Sequence, residues 1–130
     1  MNIVTKLALI PGLIAFILAF LITPQVIKLA NKLKVIDDPK TNKHIKVIHK
    51  YPVPRMGGLA TYLAILATSL IFLPPDKHLI GILVGGTLVT LIGILDDKFN
   101  LNPYLRLVLG FLAALSPIAA GIGISFISNP

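Results

Sequence analysis

The sequence predicts an all-α, polytopic membrane helix bundle with four transmembrane helices, and three observations carry that prediction. Of the 130 residues, 55% are hydrophobic and only 13% are charged, against ~25% charged residues in a typical soluble domain. Mean hydropathy is +0.89. The apolar residues fall into four uncharged stretches, 7–27, 56–73, 79–95 and 107–130, separated by segments that carry the charged residues. At ~1.5 Å rise per residue each stretch is long enough to cross a hydrocarbon core, with the third near the lower limit. Cysteine is absent, so disulfide frameworks, thiolate metal sites and thiol nucleophiles are excluded.

The first predicted helix, about 7–27, follows Lys6 and could be read as a signal peptide. Its apolar run exceeds the ~7–15 residues of an h-region and no small-x-small cleavage site precedes Lys28, so it reads as a retained span. Pro11 and Pro24 lie inside it; membrane helices tolerate such kinks where neighbouring groups satisfy the freed carbonyls. The loop 28–55 then carries Lys28, Lys32, Lys34, Lys40, Lys43, Lys46, Lys50 and Arg55 against only Asp37 and Asp38. The positive-inside rule places it in the cytoplasm.

The second helix is expected over 56–73. A short, nearly neutral link, Pro74-Pro75-Asp76-Lys77-His78, suits an outer hairpin before the third helix returns over 79–95. The loop 96–104 is then cytoplasmic, and a fourth helix over about 105–127 leaves both chain termini outside. Alternation thus brings the basic loop and the acidic pair Asp96-Asp97 to one side of the membrane. The basic loop has anionic lipid headgroups as its simplest partner, at ~1 kcal/mol per Lys or Arg near the surface. Nucleic acid is not expected, because only Tyr51 offers a stacking surface among those charges.

Asp96 and Asp97 stand at the C-terminal end of an apolar helix, where the macrodipole disfavours an anion by ~0.3–1 kcal/mol each. The positions four residues earlier are Ile92 and Gly93, so no basic side chain on the same helix relieves them. A divalent cation would hold two negative charges there. The plainer alternative is a solvated helix end paired with Lys98 or Arg106.

Within the basic loop the order is specific: Asp37-Asp38-Pro39, the His- and Lys-bearing stretch Lys43–Lys50, then Pro54-Arg55-Met56-Gly57-Gly58, and later Gly93-Ile94-Leu95-Asp96-Asp97. Gly57 and Gly58 would permit close backbone approach to a neighbour or a ligand. This order resembles the polyprenyl-phosphate N-acetylhexosamine-1-phosphate transferases. The resemblance covers essentially all of the chain but only the first part of that family's fold. It therefore implies an N-terminal fragment, inactive alone, lacking a later acidic loop and a His-containing loop.

The resemblance implies transfer of an N-acetylhexosamine-1-phosphate, either GlcNAc-1-phosphate or MurNAc-pentapeptide-1-phosphate, from a UDP-amino sugar to undecaprenyl or another polyprenyl phosphate, with release of UMP. It further implies Mg2+, with Mn2+ as a substitute, and a cytoplasmic active side on the inner membrane. In such phosphoryl transfer the protein positions two anions and neutralises charge on the diphosphate. The catalytic candidates are Asp96, Asp97, Lys43 and His49. Arg55, Lys46, Lys50, Gly57 and Gly58 are substrate-binding candidates, and the functional lysine lies among Lys43, Lys46 and Lys50. Adjacent helical side chains point ~100° apart, so Asp97 is assigned to the metal or diphosphate and Asp96 to the lipid-phosphate acceptor or a neighbouring Lys. Alternatives without this chemistry are a membrane adaptor, a lipid-binding helical protein or a small transporter subunit. Gly81, Gly85, Gly86 and Gly93 would allow close helix contacts within one bundle or between the copies of a homodimer.

Overall fold

A computed structural model describes residues 3–37 and 52–123, with side chains from Ala8 onward. Its helices are α1 (Ile3–Leu33), α2 (Gly57–Phe72), α3 (Lys77–Phe99) and α4 (Pro103–Ala119). Between α1 and α2 a two-residue strand β1 (Ile36–Asp37) pairs with β2 (Val53–Pro54), antiparallel, with Ile36 opposite Pro54 and Asp37 opposite Val53. The all-α bundle is as expected. The ribbon was not, because two residues are too few to show a period of two.

Helix α1 runs past the apolar stretch to Leu33, which corrects the loop start expected at position 28. Lys28, Leu29, Ala30, Lys32 and Leu33 are all good helix formers, so charge ends the hydrophobic run without ending the helix. A Schellman motif stops it. Lys34 adopts φ 57°, its N–H donates to the Asn31 carbonyl at 3.2 Å, and the Val35 N–H donates to the Ala30 carbonyl at 2.9 Å. Val35 is then buried, which turns the chain sharply into β1.

Helix α3 starts at Asp76, whose carboxylate accepts the Leu79 N–H at 2.7 Å. That bond, together with the His78 ring, holds the Asp76 carboxyl below its ordinary value. Helix α4 starts two residues before the expected position 105, because Asn102 caps it by accepting the Tyr104 N–H at 3.0 Å and Pro103 occupies the first helical position. It ends at Ala119, short of the expected end near 127, where Gly121 at φ 90° turns the chain.

Among the described residues two helices are 18 residues or longer and apolar enough to cross a membrane, over Ala8–Leu33 and Lys77–Phe99. The other two apolar helices are shorter, α2 with 16 residues and α4 with 17, near the lower limit for a span. At ~1.5 Å per residue they are about 24 and 26 Å long. Large apolar side chains face outward along the whole bundle, among them Phe16, Phe20 and Phe111 at 70%, 72% and 69% exposure. A bilayer is the environment that such a surface matches.

Helix α1 packs on α2, and α3 packs on α4. The buried cluster Val26, Ala30, Val35, Met56 and Ala60, with Ile94 of α3 against it, lies at the end of the bundle where the β-ribbon sits. Gly81 and Gly85 let α4 approach α3 closely, next to Ser116 and Pro117, and Ser116 Oγ donates to the Gly81 carbonyl at 2.9 Å. Gly86 makes room for the Tyr62 ring, whose hydroxyl bonds the Leu83 carbonyl at 2.7 Å and Thr87 Oγ1 at 2.6 Å and so ties α2 to α3. The close contacts expected at Gly81, Gly85 and Gly86 are therefore found inside one chain. Gly93 makes none.

Candidate functional site

The β-ribbon places Asp37 beside Arg55. The Arg55 N–H donates to the Val35 carbonyl at 3.1 Å, which extends the ribbon by one bond and fixes the backbone. The Arg55 guanidinium then meets Asp37 Oδ2 at 2.7 Å, with Asp37 only 15% exposed. A short charge-assisted bond on a mostly covered carboxylate is among the stronger single polar contacts a protein makes.

The next residue, Met56, is the N-cap of α2 and has φ 72°, a left-handed conformation unusual for a residue with a Cβ. Its side chain is buried in the small core. Anchored in that way, it directs its N–H at α3, where Asp97 Oδ2 accepts it at 3.3 Å. A carboxylate at the N-terminus of α2 is favoured by that helix's dipole, which partly offsets its place at the C-terminus of α3. Asp97 is half-buried, and no described basic residue forms an ion pair with it.

Asp96 points elsewhere. Its Oδ1 accepts the Leu101 N–H at 3.1 Å, and its Oδ2 meets Arg106 Nη1 of α4 at 2.7 Å. The ~100° divergence expected of neighbours on a helix thus divides the pair between two partners. For Asp96 the plainer expectation of pairing with Arg106 is met, and its cation comes from the next helix rather than its own. Asp96 is an anion at the C-terminus of α3, and Arg106 a cation in the first turn of α4. Each is at the wrong end of its own helix and close to the right end of the other. Lys98, the alternative partner, instead lies 5.4 Å from the centroid of the Phe99 ring.

Gly57 and Gly58 are exposed, and a Cβ at either would meet nothing within 4 Å. The close approach expected there is not to a neighbouring described helix. Gly58 and Gly93 instead border a cavity of about 210 Å³ between the start of α2 and the end of α3, with Thr90 and Asp97 on its wall. A larger cavity, about 530 Å³, lies at the far end of α1 and α2, lined by Ala8, Pro11, Thr68 and Phe72, among others. It carries no charged group and is remote from the acidic pair.

Of the sequence candidates, Arg55, Gly57, Gly58 and Asp97 converge at the junction of α1, α2 and α3, whereas Asp96 belongs to the α3–α4 turn. Lys43, Lys46, His49 and Lys50 lie outside the described residues. One participant had no assigned role on the sequence, Asp37, which orients Arg55; Arg106, named there with Lys98 as a partner for the acidic pair, is found to hold Asp96. The Asn102-Pro103 start signal of α4 places Arg106 in that helix's first turn and so near the end of α3. No comparable signal links Asp37 to Arg55 across the loop. Among the described residues no group of three or more His, Cys, Asp or Glu gathers as a metal cage. Among the described residues Asp97 is the carboxylate at this junction without an ion pair, which fits a cation that takes one or two protein carboxylates and fills its shell with water and phosphate oxygens.

These features define an apolar helical membrane bundle whose acidic and basic groups meet at one end. The sequence comparisons place its relatives among the polyprenyl-phosphate N-acetylglucosamine-1-phosphate transferases. The chain is 31% identical over 122 residues to the probable undecaprenyl-phosphate N-acetylglucosaminyl 1-phosphate transferase of Bacillus subtilis, covering 90% of this chain and 33% of that protein. It is 32% identical over 134 residues to the decaprenyl-phosphate N-acetylglucosaminephosphotransferase of Mycobacterium leprae, covering 96% and 32%. A putative UDP-N-acetylglucosamine–dolichyl-phosphate N-acetylglucosaminephosphotransferase of Saccharolobus solfataricus is 29% identical over 126 residues, covering 94% and 38%. The chain thus spans about a third of the length of the curated relatives it matches. No family model and no solved structure matches it.

Proposed function

We propose that this chain forms part of a transferase that moves N-acetylglucosamine-1-phosphate from its UDP derivative to a polyprenyl phosphate, releasing UMP at the cytoplasmic face of a membrane. The observation that carries the reading is Asp97, a half-buried carboxylate held by the Met56 N–H beside the Arg55–Asp37 pair, with no cation of its own among the described residues. Relatives that share over nine-tenths of the chain's length carry the corresponding activity in their names. Arg55 supplies positive charge for a phosphate, and Asp97 would hold Mg2+, which when bound neutralises charge on the diphosphate. Lys43, Lys46, Lys50 and His49 remain candidates for phosphate binding and orientation. The donor is read as the GlcNAc derivative rather than the MurNAc-pentapeptide one, because the relatives' names specify the former.

The assay is UMP release from UDP-N-acetylglucosamine with polyprenyl phosphate and Mg2+. The natively encoded protein should turn over, and its failure with every UDP-amino sugar and polyprenyl phosphate offered would remove the reading. The 130-residue chain by itself is expected to release no UMP above background, since it spans a third of its relatives. Clear turnover by the purified chain would show that these helices suffice.

Both chain ends are proposed to face outward, with 28–55 and 96–104 on the cytoplasmic side, on the charge asymmetry described above. The absence of cysteine makes Lys46→Cys a single-site reporter. A membrane-impermeant thiol reagent should leave it unmodified in intact cells and label it once the membrane is opened. Labelling in intact cells would invert the topology.

A further inference from the structure

We propose that Arg106 is a positioning residue: by holding Asp96 in the α3–α4 turn it fixes the last turn of α3 and thereby the direction of Asp97. The inference rests on the transferase reading above, but its geometry does not. Three bonds converge on one residue. The Asn100 N–H donates to the Asp96 carbonyl at 2.8 Å, the Leu101 N–H donates to its Oδ1 at 3.1 Å, and Arg106 donates to its Oδ2 at 2.7 Å. Asn100 is left-handed at φ 52°, so the chain reverses within these few residues and the backbone of Asp96 is committed at both its carbonyl and its side chain.

Asp97 is the next residue on the same helical turn. Rotation of that turn about the helix axis swings its carboxylate relative to the Met56 N–H and to Arg55. Without the Arg106 anchor, fraying of the last turn competes with the Asp97 contact, because an anion at a helix C-terminus favours loosening. Arg106 is 57% exposed and Asp96 21%, so the cation reaches in from the surface to the carboxylate. A Lys offers one ammonium in place of the guanidinium fork but keeps the charge.

The test uses the natively encoded protein and compares Arg106→Gln, Asp96→Asn, the double variant and Arg106→Lys in steady-state UMP release and in thermal melting. Each single variant should lower kcat roughly ten-fold with KM for the sugar nucleotide and for the lipid phosphate changed less than about two-fold. The double variant should be no slower than the slower single one, because both remove the same contact. Arg106→Lys should recover most of the rate. A roughly hundred-fold loss in the double variant, or a KM for either phosphate substrate raised ten-fold by Arg106→Gln, would overturn the proposal and make Arg106 a substrate contact. If the unaltered protein shows no transfer, the functional reading fails by itself. The melting cycle then decides the positioning claim, which additive losses in the two single variants overturn and non-additive losses support.

Discussion

Replacing Asp97 by Asn in the natively encoded protein is expected to lower transfer by two orders of magnitude or more, the scale seen when a group that stabilises transferring charge is removed. The same change should leave folding intact or improve it. An Asn Oδ1 still accepts the Met56 N–H now held at 3.3 Å, and loss of the negative charge relieves the part of the about 0.3–1 kcal/mol α3 dipole penalty that the α2 N-terminus does not already offset. Asp96→Asn differs in sign. The amide keeps a bond to Leu101 N–H but gives up the Arg106 ion pair, so melting should fall by an amount corresponding to about 0.2–1 kcal/mol. Two adjacent aspartates with opposite stability effects and unequal activity losses are the signature of the divided pair. Equal losses of rate and stability in both variants would contradict it.

Gly81→Val should give the largest stability loss. A Cβ at Gly81 collides with the Ala120 Cβ and comes within 3.3 Å of the Ser116 carbonyl oxygen, both on or next to α4. Neither obstacle is the flexible tip of a long side chain, so the helices must separate. Overpacking of this kind costs about 1–3 kcal/mol. Separation also strains the Ser116 Oγ bond to the Gly81 carbonyl, and the melting midpoint should fall by several degrees. Gly93→Ala is the matched comparison, because a Cβ there meets nothing within 4 Å and helical Ala is favoured over Gly by ~0.5–1 kcal/mol. Its melting point should be equal or higher. A similar drop in both would mean that glycine matters for backbone freedom rather than for contact between α3 and α4.

Hydropathy located every helix, because each buries or exposes a continuous apolar run, but it reports where charge interrupts the run and not where the backbone changes. For that reason α1 continues through Lys28 and Lys32 to Leu33, and α3 carries both aspartates inside its last turn. The acidic pair, Arg55 and the two glycines were legible as a group from their order along the chain. The partner of Arg55 was not. Asp37 meets Arg55 only because a Schellman stop at Lys34 and a two-residue ribbon fold the loop back, and none of these leaves a periodic signal. Arg106 was legible as a partner of the acidic pair, but the choice of Asp96 over Asp97 was not, because it depends on how the α3–α4 turn presents the guanidinium.

The pairing of α1 with α2 and of α3 with α4 has a mechanical consequence. Arg55, Asp37 and the Met56 N–H belong to the first pair and Asp97 to the second, so the site straddles the seam between two units. Along that seam the Tyr62 hydroxyl is one polar rivet, and Ile94 against the small core is one apolar one. Sliding of one unit past the other by an ångström would leave both helix pairs whole while it changed the separation of a carboxylate from a guanidinium by a similar amount. The distance between opposite charges at the membrane surface is thereby geared to a shear of the apolar layer beneath it.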